Sequence, residues 1–119
     1  MNYNCVIQTA DEEEVTIIIG KTKITGFANA GLDCLSGEKA NVEIELFGDL
    51  VIKRNPVQEK RILNTGAYSY IIYGILDVNK QIIKSEIDFS IDQCYLYEYG
   101  YLDNEYVEII VPRVDFHFY

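Results

Sequence analysis

The chain has 119 residues, 49% apolar and 24% charged. That is enough for a single domain with its own core, and it excludes a disordered chain or a scaffold that must be stapled by metal or disulfide. Nineteen carboxylates against ten lysines and arginines leave a net charge of −9, which disfavours sequence-independent nucleic-acid binding, because that draws on Lys and Arg displacing counterions. No apolar run approaches the roughly 18 residues of a membrane helix.

Tyr3 to Thr9 reads as a short strand with Cys5 and Ile7 on one face. Asp11 to Glu14 is a self-repelling acidic run that belongs in water, as a turn or loop. Val15 to Phe27 reads as a tight hairpin about Gly20-Lys21, with Ile19 opposite Thr22 and Ile17 opposite Ile24. The competing reading is one long strand bent at Gly20. Ala28 to Lys39 is irregular, with a single helical turn expected around Leu32 to Leu35.

Ala40 to Phe47 alternates, with Val42, Ile44 and Leu46 directed inward and Asn41, Glu43 and Glu45 outward. A turn at Gly48-Asp49 would return Leu50 to Arg54 against it, pairing Leu46 with Ile52 and Glu45 with Lys53. Asn55-Pro56 ends that strand, and Val57 to Leu63 is at best a weakly amphipathic helical turn or two.

Ala67 to Leu76 and Gln81 to Ile91 form the strongest pattern. A turn at Val78-Asn79 predicts Leu76 opposite Gln81, Gly74 opposite Ile83 and Ile72 opposite Ser85. Ile83, Ser85, Ile87, Phe89 and Ile91 alternate with Lys84, Glu86, Asp88, Ser90 and Asp92, so this arm has one wet face. The first arm is apolar on both faces and is expected to be the more central strand, with Gly74 marking a bend or bulge. Beyond Asp92, Tyr95, Tyr97, Tyr99 and Tyr101 recur at every second position, which in an extended strand places them on one face. Glu98, Asp103 and Glu105 surround this stripe, and Asp103-Asn104 signals a turn. Tyr106 to Val111 and Arg113 to Tyr119 are the last strands, broken by Pro112. Val107, Ile109, Val111, Val114, Phe116 and Phe118 point inward, His117 points outward, and the C-terminus is expected to dock in the sheet.

About eight to ten short strands at this spacing make an all-β, mostly antiparallel domain over residues 1–119, with at most one short helix. A two-sheet sandwich or flattened barrel is the first expectation. The alternative is an OB-like barrel, whose five strands would span Val15 to Ile91.

The tyrosine stripe with its acidic rim is the distinctive surface: Tyr95, Tyr97, Tyr99, Tyr101, Glu98, Asp103 and Glu105. Phenol rings bind protein partners, sugars or bases, although Tyr is also an ordinary strand residue. Stacking nucleic acid would require a basic groove, so the acidic rim favours a protein partner, possibly basic, or self-association. The expected function is a non-catalytic acidic interaction module, either an inhibitor or immunity-type protein or a structural subunit of an assembly such as a phage particle. The alternative is a small-ligand or carbohydrate-binding domain with a tyrosine platform.

Chemistry is weakly encoded. The single His117 and the dispersed Cys5, Cys34 and Cys94 offer no zinc spacing, and no nucleophile elbow or Gly-rich phosphate loop occurs. Cys5 and Cys94 are expected to be buried as small hydrophobes, and the acidic runs to be solvated rather than to chelate a cation. No enzyme activity, cofactor, metal or membrane association is expected. The odd, scattered thiols and the N-terminus, which lacks a basic-then-apolar leader, point to the cytoplasm.

Overall fold

The first strands of the chain form a meander in the computed structural model, which describes residues 2–11, 13–28 and 37–119. β1 (Asn2–Asp11) pairs with β2 (Glu14–Ile19), and the reversal falls inside the acidic run, with Asp11 opposite Glu14. β2 turns at Gly20-Lys21 into β3 (Thr22–Ala28) in the expected register, Ile19 opposite Thr22 and Ile17 opposite Ile24. Gly20 sits at φ +60°, a left-handed conformation that costs glycine little. The expected helical turn at 32–35 lies outside the described residues.

β4 (Lys39–Phe47) pairs antiparallel with β1, and β11 (Arg113–Phe118) pairs antiparallel with β4 and parallel with the end of β3. The circuit β1-β2-β3-β11-β4 therefore returns to β1 and closes a five-stranded barrel. Its interior is the alternate residues of each strand: Cys5, Ile7, Val15, Ile17, Ile24, Val42, Ile44, Leu46, Val114 and Phe116 are all buried. Each large aliphatic among them contributes about 1.5–3 kcal/mol by leaving water.

The seam between β3 and β11 is short, with only Phe27 and Ala28 paired. Gly26 lies just before it, where a Cβ would come within 2.8 Å of both the Phe116 ring and the Val114 carbonyl. Across the unpaired stretch of β3, the buried Tyr70 hydroxyl accepts the Thr25 N–H at 2.8 Å and donates to the Thr25 carbonyl at 3.1 Å. One phenol thus satisfies both backbone groups that a neighbouring strand would otherwise have engaged.

The chain between β4 and β11 builds a second lobe. β9 (Asp88–Ile91) pairs parallel with β4, through Glu45 and Leu46 opposite Ser90 and Ile91. From there the order runs β8 (Ile82–Lys84), β7 (Tyr70–Asp77), β10 (Tyr106–Val111) and β5 (Val51–Arg54). β6 (Arg61–Asn64) lies along the first half of β7, and β8 along its end. β7 is the central strand of this lobe, as its two apolar faces predict. Barrel and second lobe share one continuous core.

Three local expectations fail. Leu50 to Arg54 does not return against β4: Leu46 faces Val114 and Ile52 faces Ile109. Both edges of β4 are occupied, one by β11 and the other by β1 and β9. Gly48, at φ +107° beneath the Pro112 ring, leads the chain away instead. Secondly, Val57 to Leu63 is not helical. Asn55 Oδ1 accepts the Val57 N–H at 3.1 Å, the Glu59 N–H donates to the Val57 carbonyl at 3.1 Å, and the chain reaches β6 without forming a helical turn. One or two isolated turns cannot repay helix nucleation, whereas the edge of β7 offers ladder bonds at once.

The third failure concerns the central hairpin, which is shifted and folded again. Leu76 faces Ile83 rather than Gln81, and the second arm breaks at residues 85–87 so that β9 returns along β8, Ile83 opposite Phe89. Ser85 holds the break, its hydroxyl donating to the Tyr73 carbonyl at 2.6 Å and its N–H to the Ile87 carbonyl at 3.3 Å. Gly74 permits it by close approach, since a Cβ there would collide with the Lys84 carbonyl. The alternation survives the fold-back: Ile83, Ser85, Ile87, Phe89 and Ile91 are all buried. At the C-terminus, Val107, Ile109, Val111, Val114 and Phe116 are buried, and the Tyr119 N–H donates to the Asn41 carbonyl at 3.0 Å.

Candidate functional site

The tyrosine segment is not a strand. Residues 92–105 fold as a loop with two 3₁₀ turns, Gln93–Tyr95 and Gly100–Leu102. Asp92 caps the first, its Oδ1 accepting the Cys94 N–H at 2.9 Å. Leu96 and Leu102 are the buried anchors, and their six-residue spacing suits a loop pinned at two points. As a strand, neither face would have been a core face: one would carry four phenols, the other Cys94, Leu96 and Glu98. The four tyrosines are therefore dispersed. Tyr95 and Tyr99 are half-buried against the core, with the Tyr95 hydroxyl accepting the Gly48 N–H at 3.3 Å. Tyr97 is 77% exposed and Tyr101 68%.

The acidic rim divides as well. Asp103 is a clasp, its Oδ1 accepting the Val78 N–H at 2.9 Å. The next two residues reinforce it through backbone bonds, Asn104 N–H to Leu76 carbonyl at 2.8 Å and Leu76 N–H to Glu105 carbonyl at 3.1 Å. The Glu105 carboxylate lies 4.0 Å from Arg54 at the surface. Glu98 is exposed beside Tyr97. Of the seven residues expected to form the surface, Tyr97, Tyr101 and Glu98 present to solvent, whereas Asp103 and Glu105 fasten the loop.

Docking of this loop beside the β7–β8 turn creates a cleft of about 300 Å³, lined by Val78, Asn79 and Gln81 on one side and Gln93, Leu96 and Tyr97 on the other. A second cleft, of about 350 Å³, is lined by Glu43, Glu45, Lys80, Gln81, Ser90 and Asp92. Gln81 lines both, so the clefts adjoin. It holds φ +56°, a conformation uncommon for a residue with a side chain. Its carbonyl accepts the Ile91 N–H at 2.8 Å, which keeps the junction in place.

The chain belongs to the family described as Uncharacterised conserved protein UCP019853, whose model matches residues 1–119. No curated protein and no solved structure matches it.

The acidic cleft is assembled by long-range pairing. β4 supplies Glu43 and Glu45 from its outward face, and the parallel contact with β9 brings Ser90 and Asp92 beside them. Ser90 Oγ donates to Glu43 at 3.3 Å, the Tyr119 hydroxyl donates to Glu43 at 3.3 Å, and His117 Nε2 lies 3.4 Å from Glu45. The negative charge of Glu43 raises the Tyr119 phenol above its ordinary value. The Cys94 N–H lowers Asp92, which in turn holds the Cys94 thiol above its ordinary value.

Cys94 is thus exposed, contrary to expectation, and biased towards the protonated thiol, the reverse of an activated nucleophile. Cys5 is buried as expected, and Cys34 lies outside the described residues. Among the described residues, no three His, Cys, Asp or Glu side chains converge to hold a metal ion, and no helix is long and apolar enough to cross a membrane. Glu43, Glu45, Gln81 and Asp92 were not singled out from the sequence. The outward Glu43-Glu45 alternation was visible, but its meeting with β9 depends on a pairing 45 residues apart, Glu45 opposite Ser90.

Proposed function

We propose that this protein is a non-catalytic, cytoplasmic interaction module that receives a basic segment of a protein partner in the two joined clefts. The observation that carries this reading is that Glu43, Glu45 and Asp92 line one cleft against a single Lys80, and that this cleft adjoins, at Gln81, the one bordered by Tyr97. Carboxylates recognise Lys and Arg, while an exposed tyrosine ring offers large contact area at little entropic cost and stacks on guanidinium. The net charge of −9 would steer a basic partner towards the molecule and disfavour acidic ones. An inhibitor or immunity-type protein that neutralises a basic enzyme fits this chemistry. A subunit of a larger assembly such as a phage particle would use the same contact.

The fold supports a binding role. The closed five-stranded barrel β1-β2-β3-β11-β4, with β3 and β11 parallel, supports an OB-like reading, with the barrel built on β1 to β4 and β11 rather than on Val15 to Ile91. Such barrels bind through their strand faces and loops, although a shared fold does not specify the ligand. The second reading, a small-ligand or carbohydrate site, is favoured by one feature, the placement of Tyr97 beside Gln81, Asn79 and Gln93, whose amides match sugar hydroxyls.

The test is titration of the isotopically labelled protein with a hexa-arginine peptide and, separately, with neutral oligosaccharides. The protein reading expects backbone shifts concentrated at residues 43–45, 79–82 and 90–97, weakening with salt and lost in the E43Q/E45Q/D92N variant. Shifts scattered over the whole acidic surface would sink it. Saturable shifts at the Tyr97 cleft with an oligosaccharide, insensitive to salt, would favour the second reading.

A further inference from the structure

The outer face of the second lobe carries an apolar row that the barrel and core do not use. Four strands each contain an adjacent apolar pair: Val51-Ile52, Ile62-Leu63, Ile71-Ile72 and Ile109-Ile110. Pairing aligns them. Ile52, Ile109, Ile72 and Ile62 form one row across β5, β10, β7 and β6, directed to the core. Val51, Ile110, Ile71 and Leu63 form the matching row on the opposite face. Val51 is 41% exposed, Ile110 38% and Leu63 42%. A sheet with apolar residues on both faces is the pattern of a sheet covered on both sides; here, among the described residues, Val51, Ile110 and Leu63 stay exposed and Ile71 is half-buried.

The charges flanking this row distinguish it from the rest of the molecule. The next row is Lys53, Glu108, Tyr73 and Arg61 in pairing order. Within it, the Tyr73 hydroxyl donates to Glu108 at 3.4 Å, Arg61 lies over the Tyr73 ring at 4.8 Å, and Glu59 lies 3.8 Å from Arg61. Beyond it come Tyr106, Ile75 and Lys84, with Lys84 3.4 Å from Asp77. In these two rows and their ion partners, Lys53, Arg61 and Lys84 balance Glu59, Glu108 and Asp77, so this flank of the face carries no net charge on a chain of net charge −9.

We infer that this face binds a second copy of the same chain, forming a two-fold dimer in which the Val51, Ile110, Ile71 and Leu63 rows pack on one another. Neutrality decides the occupant. A basic partner gains nothing from a face without net charge, whereas two strongly acidic copies can approach only where their surfaces carry no excess charge. An identical apolar row on each copy is self-complementary about a two-fold axis. Four strands by three rows give a footprint of about 400 Å² at ordinary strand and residue spacings. That is about half the roughly 800 Å² per partner of a standard interface, so the dimer is weak and concentration-dependent. The surface is distinct from the Glu43, Asp92 and Tyr97 clefts, and a dimer would present two copies of that site.

Sedimentation equilibrium of the full chain from 10 µM to 1 mM tests this. The expected result is a concentration-dependent rise from 13.7 kDa towards twice that mass, strengthening between low and moderate salt as the residual charge is screened. V51K/I110K should weaken association at least tenfold, while Y97A leaves it unchanged. A monomer throughout that range, or a dimer that V51K/I110K leaves intact or Y97A abolishes, overturns the proposal. Should V51K/I110K not fold, dilution of the wild type gives the answer: amide signals at residues 51, 63, 71 and 110 must shift with concentration while those at 97 and 101 do not. Shifts confined to 97 and 101 overturn it equally.

Discussion

Tyr70→Phe should be disproportionately destabilising for the loss of one oxygen. The Tyr70 hydroxyl is the partner of both backbone groups of Thr25 on the open side of β3, at 2.8 and 3.1 Å. Phenylalanine preserves the buried ring, so the apolar contribution is unchanged and the loss isolates the hydrogen bonds. Each group left unsatisfied costs roughly 1–3 kcal/mol, and Thr25 is itself only half-buried, which brings the expected total to about 2–4 kcal/mol. For a domain of this size that is a fall in Tm of roughly 10–20 °C. Urea unfolding monitored by circular dichroism measures it, with Tyr73→Phe as control, because the Tyr73 hydroxyl makes a longer bond to a side chain, 3.4 Å to Glu108. That control should lose less than about 1 kcal/mol. If Tyr70→Phe costs no more than Tyr73→Phe, water replaces the phenol at the seam, and the reading that Tyr70 alone satisfies the two Thr25 backbone groups is wrong.

Two further outcomes follow from the same structure. Gly74→Ala should cost about 3 kcal/mol or more, since the obstructing atom is the Lys84 carbonyl on a neighbouring strand rather than a yielding side chain; denaturant midpoints decide it, and a loss under 1 kcal/mol would mean that β8 can move aside. Acid should destabilise the lobe through Asp77, lowered chiefly by the Lys80 N–H and then by Lys84, and through Asp92, lowered by the Cys94 N–H. A depressed carboxyl contributes stability above its ordinary value of 3.8 and loses it as pH falls from there through the folded value. Tm should therefore drop more steeply below pH 4 in the wild type than in D77N/D92N, and parallel curves would contradict the assignment.

The strands that could be read were those whose alternation is local. β2 and β3 were legible together because Gly20 and the period-2 pattern lie within a single hairpin, and β4, β10 and β11 because each has one wet face. That β7 is central was legible from its doubled apolar faces. The tyrosine spacing by itself reads as a strand, because period alone cannot distinguish an alternating strand from a loop pinned at Leu96 and Leu102. The decisive facts there are the Asp92 cap and the Asp103 clasp on Val78, which join distant segments.

By itself the sequence determined the class: an acidic all-β chain whose inward residues alternate, and that alternation holds even where β8 folds back into β9. The tertiary structure decided which strand lies beside which. Side-chain period specifies a face but not a neighbour, and β4 has two edges for which β1, β5, β9 and β11 all compete. Once β1, β9 and β11 occupy those edges, β5 must pair with β10, the barrel closes without it, and Glu43 and Glu45 come to lie beside Ser90 and Asp92. The candidate site exists only through that competition among edges, which is why no contiguous stretch of sequence records it.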